Sequence, residues 1–154
     1  MNVGISIIDK LLAGQVHGIN DLEKFRIDFI RSGESISSLI KSAQEISNSH
    51  LSSELKIENL AYAYWICGQY KLIVETLPIS KGSSLAKLVL AHSHLCRCDY
   101  QSAAKLSETN LNLADSFQIA ALVDALIGLD EFEKAGNILK KNQISNQNDK
   151  YLIN

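Results

Sequence analysis

The second half of the chain repeats itself. Leu60-Ala61-x-x-Tyr64 precedes Gly68-Gln69-Tyr70, Leu90-Ala91-x-x-His94 precedes Cys98-Asp99-Tyr100, and Leu122-Val123-x-x-Leu126 precedes Asp130-Glu131-Phe132. The aromatics that close each copy, Tyr70, Tyr100 and Phe132, stand 30 and 32 residues apart, and Ala103 and Ala135 each follow theirs by three. A period of this length predicts a helix-turn-helix unit. One such hairpin cannot bury its own apolar face, so the copies must stack. Small residues let the paired helices approach, and the turn aromatic fills the space between neighbouring hairpins.

Outside the repeat, apolar residues still recur at helical spacing: Ile5, Ile8, Leu11 and Leu12, then Leu22, Phe25, Phe29 and Ile30, then Ile36, Leu39, Ile40, Ala43 and Ile46. No segment alternates as a half-buried strand would. Helix-breaking residues cluster at Gly14 to Gly18, Ser32-Gly33, Asn48 to Ser53, Pro78 to Ser84 and Asn110 to Asp115. The chain therefore reads as all-α, with helices of roughly 10 to 16 residues. The first fifty residues contain no copy of the motif. Residues 1–50 are expected to cap one end of the stack, residues 51–142 to form three hairpins, and residues 143–154 to form a tail. That tail is rich in Asn and Gln and ends in Tyr151, Leu152 and Ile153, which predicts a frayed end or a last half-helix folded back.

Composition narrows the function classes. With 154 residues, 46% of them hydrophobic, the chain can bury a core without a metal or a disulfide. Fifteen Lys and Arg against seventeen Asp and Glu give a net charge of -2 with no basic cluster, which argues against a nucleic-acid partner. The apolar run from Val3 to Ala13 is too short to span a bilayer and is broken by Asp9 and Lys10. It lacks the basic start and cleavage site of a signal peptide, so a cytoplasmic protein with no membrane insertion is expected. The odd set Cys67, Cys96 and Cys98 agrees with reduced thiols.

Residue types that carry chemistry crowd together only in His92-Ser93-His94-Leu95-Cys96-Arg97-Cys98. On a helix His92 and Cys96 share one face and His94 and Cys98 another, so the four cannot converge on one ion unaided. His94 and Cys98 also occupy repeat positions, which explains them without a metal. His92 and Cys96, one turn apart, form a candidate proton-sharing pair. No phosphate-binding glycine loop, nucleophile elbow or zinc-protease motif accompanies them. Neither an enzyme, a cofactor nor a resident metal is expected. His17 and His50 fall in predicted connections and read as solvated.

The repeated pattern resembles the tetratricopeptide-repeat family over Ser53 to Asn142, with Ile73 where a small residue is usual and His94 in place of an aromatic. The resemblance implies an α-solenoid, a right-handed superhelical stack of hairpins whose first helices line a concave side. In that register Tyr62, Trp65 and Ile66, then Leu88, His92 and Leu95, then Phe117, Ala120, Asp124 and Ile127 face the groove. Glu58, Tyr62, Leu88 and His92 stand where relatives that clamp a carboxylate place basic residues and Asn, so such a clamp is not expected. An apolar groove suits an amphipathic helix of a partner protein, with Trp65 and Tyr62 as anchors. The alternative is that the chain's own N-terminal helices or tail fill it.

Arg97 to Lys141 also resembles the small chaperones of bacterial type III secretion, which cradle the C-terminal helix of a needle subunit. Together the resemblances imply a protein-binding scaffold or chaperone. The other reading is a structural or regulatory subunit that oligomerises, with itself or another chain, through its helical ends.

Overall fold

The computed structural model describes residues 6–78, 82–109, 111–112 and 115–151, with residues 144–151 described by backbone only. Among the described residues all regular structure is helical: α1 (Ile7–Leu12), α2 (Ile19–Ser32), α3 (Ile36–Asn48), α4 (Ser53–Ile66), α5 (Tyr70–Thr76), α6 (Ser84–Cys96), α7 (Tyr100–Thr109), α8 (Ser116–Gly128) and α9 (Phe132–Tyr151). None is long and apolar enough to cross a membrane. Lengths depart from expectation at both extremes, since α1 has 6 residues, α5 has 7 and α9 has 20. The tail does not form a separate element: helix α9 continues through residues 143–151, while Leu152 and Ile153 lie outside the described residues, as do Val3 and Ile5.

Helix starts follow local chemistry. Ser6 and Asp9 form a capping box, the Asp9 N–H donating to Ser6 Oγ at 3.1 Å and the Ser6 N–H to Asp9 Oδ2 at 3.3 Å. Ser35 and Ser52 cap α3 and α4 through the N–H groups of Ser38 and Leu55. Asp115 accepts from the N–H groups of Phe117 and Gln118 at the start of α8.

Three helix ends share one hydrogen-bonded turn. The N–H groups of Gln69, Asp99 and Glu131 donate to the carbonyls of Tyr64, His94 and Leu126 at 2.8, 2.9 and 2.9 Å. Those of Gly68, Cys98 and Asp130 donate to Trp65, Leu95 and Ile127 at 3.0, 2.9 and 3.0 Å. This is the Schellman pattern, and it places the shared residue in the left-handed region, with φ of 72° at Gly68, 58° at Cys98 and 60° at Asp130. The repeat read from sequence is thus a repeat of backbone geometry. An L side chain in that region costs about 1–2 kcal/mol, less for Asp than for Cys. Cys98→Gly is therefore expected to raise stability by about 0.5–1 kcal/mol after the extra chain entropy of glycine, read from the urea midpoint at unchanged slope.

Contacts divide the chain into two compact units, Met1–Val89 and Leu90–Asn154, with the boundary inside α6. In unit 1 helices α1, α2, α3 and α5 all pack on α4. The reason is written in α4 itself, where Asn59, Ala61, Tyr62, Ala63, Trp65 and Ile66 are all buried, so the helix needs cover on every side. Ile8 and Leu11 of α1, Leu22, Phe25 and Phe29 of α2, Leu39, Ala43 and Ile46 of α3 and Ile73 of α5 supply it.

In unit 2 helices α7 and α9 pack on α8. Ala103 and Ala104, Ile119, Leu122, Val123, Ala125 and Leu126, and Ala135 form its core, with Leu95 and Ile138 against them. The alanines at 103 and 135, predicted to let paired helices approach, are 0% and 4% exposed.

Candidate functional site

Unit 2 carries an open hollow of about 400 Å³. Helix α6 lines it with His92, Leu95 and Cys96, α7 with Tyr100, and α8 with Asp124, Ile127 and Gly128. Helical spacing explains the selection. His92, Leu95 and Cys96 lie three to four residues apart on one side of α6, and Asp124, Ile127 and Gly128 repeat that spacing on α8. Leu95 reaches through to the core, and Tyr100 closes the floor by lying on Gly128. A Cβ built on Gly128 would stand 2.5 Å from the Tyr100 ring, so glycine is what admits the aromatic. The turn aromatic of α7 thus packs against the end of α8.

The turn beneath the hollow is fixed by His94 and Asp99. Their side chains meet at 2.8 Å, and the backbone N–H of Asp99 also returns to the His94 carbonyl. An ionised carboxylate can only accept, so His94 donates through Nδ1 and leaves Nε2 buried without a partner. The Ser102 side chain and backbone N–H, together with His94, hold the Asp99 carboxyl below its ordinary value. A carboxyl lowered in this way adds stability above its unfolded value of about 4 and loses it as pH falls through the lower folded value. Asp99 therefore steadies the turn at neutral pH.

Cys96 Sγ lies 3.7 Å from His92 Nδ1 and 3.9 Å from Nε2. Near-equal distances to both nitrogens place the sulfur off the line of either one, a poor arrangement for proton transfer. Among the described residues no group of three or more His, Cys, Asp and Glu is arranged to hold a metal ion.

Four of the residues assigned to a concave face, His92, Leu95, Asp124 and Ile127, come together here. Phe117 and Ala120 continue the same stripe of α8 at one-turn spacing, and Phe117 and Ile127 are 37% and 46% exposed. Tyr62, Trp65 and Ile66 sit elsewhere. All three are buried in unit 1, at 4%, 4% and 1% exposure. The Arg26 guanidinium of α2 stands 5.4 Å from the centre of the Trp65 ring. Tyr62 donates its hydroxyl to Glu58 Oε2 at 3.2 Å, and burial pushes its phenol well above the ordinary range. These side chains build the core around α4, and of the three only Tyr62 touches an open hollow, one within unit 1. Leu88 is half-buried and belongs to unit 1.

Sequence reasoning passed over Tyr100 and Gly128 as lining residues. The signal available was a glycine closing an otherwise apolar helix 28 residues after a turn tyrosine. Comparison with protein-family models, with curated proteins and with solved structures found no match for this chain.

Proposed function

We propose that the chain is a protein-binding scaffold whose hairpins stack as an α-solenoid and whose α8 stripe, with the adjoining hollow, holds an apolar helix of a partner protein. The observation that supports this most is the exposed line Phe117, Ala120, Asp124 and Ile127, which leads into a hollow walled by Leu95 and Tyr100. Exposed apolar residues arranged in a line mark interaction surfaces more often than scattered ones do. The spacing of the stripe matches a helix laid against it by its i, i+3, i+4 and i+7 side chains. A narrower form, a chaperone for a secretion-apparatus subunit, rests on the resemblance of Arg97 to Lys141 alone.

The test is co-purification with proteins encoded beside this chain. Ile127→Asp is expected to weaken capture at least about tenfold by burying an unpaired carboxylate in the interface. At a position 46% exposed it should leave the urea midpoint unchanged. Undiminished capture by Ile127→Asp would remove the stripe from the interface.

A second reading, self-association through a helical end, draws support from Phe132. Its counterpart Tyr100 covers Gly128, whereas Phe132 is 62% exposed. Light scattering should then show a dimer at micromolar concentration that Phe132→Glu converts to monomer, and a monomeric wild-type chain would end this reading.

A further inference from the structure

A different hollow, of about 430 Å³, lies wholly within unit 1. Its apolar walls are mostly leucine: Leu11 and Leu12 of α1, Leu51, Leu55 of α4 and Leu85 of α6. Apolar walls with a few convergent polar groups, at this volume, are the usual make-up of a ligand site. Here the polar groups are His17, Ser83, Ser84 and the Tyr62 hydroxyl, together with Glu58 and Asn59, two adjacent residues of α4.

Asn59 is 8% exposed and lines the hollow, yet its amide makes no hydrogen bond to another described side chain or to the backbone. The amide still meets the solvent of the open hollow, so a ligand that pairs with it takes the place of water. Glu58, beside it, is held by three donors. The Ser83 N–H reaches Oε1 at 2.6 Å, and the hydroxyls of Ser83 and Tyr62 reach Oε2 at 3.0 and 3.2 Å. These neutral donors fix the carboxylate without neutralising it. Among the described residues no Lys or Arg lines the hollow, His17 is the one lining side chain that can carry a positive charge, and Glu58 takes part in no ion pair.

We infer that this hollow binds a peptide segment in which an apolar side chain is followed by Lys or Arg. The apolar side chain lies against the leucines and the cation meets the Glu58 carboxylate. The Asn59 amide, which carries an acceptor and a donor side by side, pairs with the C=O and N–H of the peptide backbone. The site lies in the other unit from the α8 stripe, so the two proposals stand or fall separately.

Two probes, acetyl-Leu-Leu-Arg-amide and acetyl-Leu-Leu-Glu-amide, are titrated into the full isotope-labelled chain while the Asn59 side-chain amide signal is followed by NMR. The Arg peptide is expected to shift that signal saturably with a dissociation constant in the order of 1 mM, and the Glu peptide to bind at least about fivefold more weakly. Leu55→Lys places a cation at the lining from a position already 49% exposed, so folding is spared. That variant should weaken the Arg peptide about tenfold. Glu58→Gln should do the same where it retains the wild-type spectrum. Three results overturn the inference: no saturable shift with the Arg peptide, equal affinity for both peptides, or an unchanged constant in Leu55→Lys.

Discussion

Replacing Trp65 with alanine is expected to cost unit 1 about 3–5 kcal/mol, the range for truncating a buried aromatic. Trp65 is 4% exposed, sits on the helix that four others surround, and carries the Arg26 guanidinium over its ring. Truncation leaves a cavity that well-packed neighbours refill only in part, and it removes the cation–π contact as well. Urea denaturation followed by far-ultraviolet circular dichroism measures the loss. The experiment also separates two roles for the same residue. A partner anchor would leave stability unchanged and weaken capture, whereas a core residue lowers stability first. A midpoint within error of wild type would contradict the packing around α4 described above.

Gly128→Ala carries the second large effect, and its sign is the informative part. On helix propensity alone, glycine to alanine within α8 should gain about 1 kcal/mol. The Tyr100 ring lies where the new methyl must go, 2.5 Å from the Cβ position, and the contacting atoms include Cγ, close to the backbone, so the ring cannot swing clear cheaply. Overpacking of this kind costs about 1–3 kcal/mol, so a net loss of about 1–2 kcal/mol is expected. Tyr100→Ala should uncover the propensity gain. In the Tyr100→Ala background the Gly128→Ala change is expected to stabilise, and the double-mutant cycle should report a coupling of about 2 kcal/mol. Equal effects in both backgrounds would mean that ring and glycine do not touch.

How far the chain could be read in advance differs between elements. The three turns were legible because Gly68, Cys98 and Asp130 occupy one backbone position, and that position dictates the same two hydrogen bonds each time. The Ala103 and Ala135 contacts were legible for a similar reason, since small residues at a fixed offset from the turn carry a packing demand. Of the residues assigned to a concave face, those of α8 and the last turns of α6 share an open hollow. Tyr62, Trp65 and Ile66 were assigned by register, whereas the run Leu60 to Cys67, apolar on every side of its helix, already demanded full enclosure. Register says which side of a hairpin a residue occupies but not which distant segment packs there. Glu58 shows the same limit, because its carboxylate is held by Ser83, 25 residues further on. No periodicity encodes that approach.

The three thiols differ in a way that gives the molecule its own clock. Cys67 is buried, hydrogen-bonds the Ala63 carbonyl, and has its thiol pushed up by burial, whereas Cys96 and Cys98 are exposed. An alkylating reagent will mark the latter two from the native state, while the first waits until the surrounding helices part. Mass spectrometry of timed samples then separates surface reaction from breathing, and the lag before the last adduct dates each opening of the region around α4 without any engineered label.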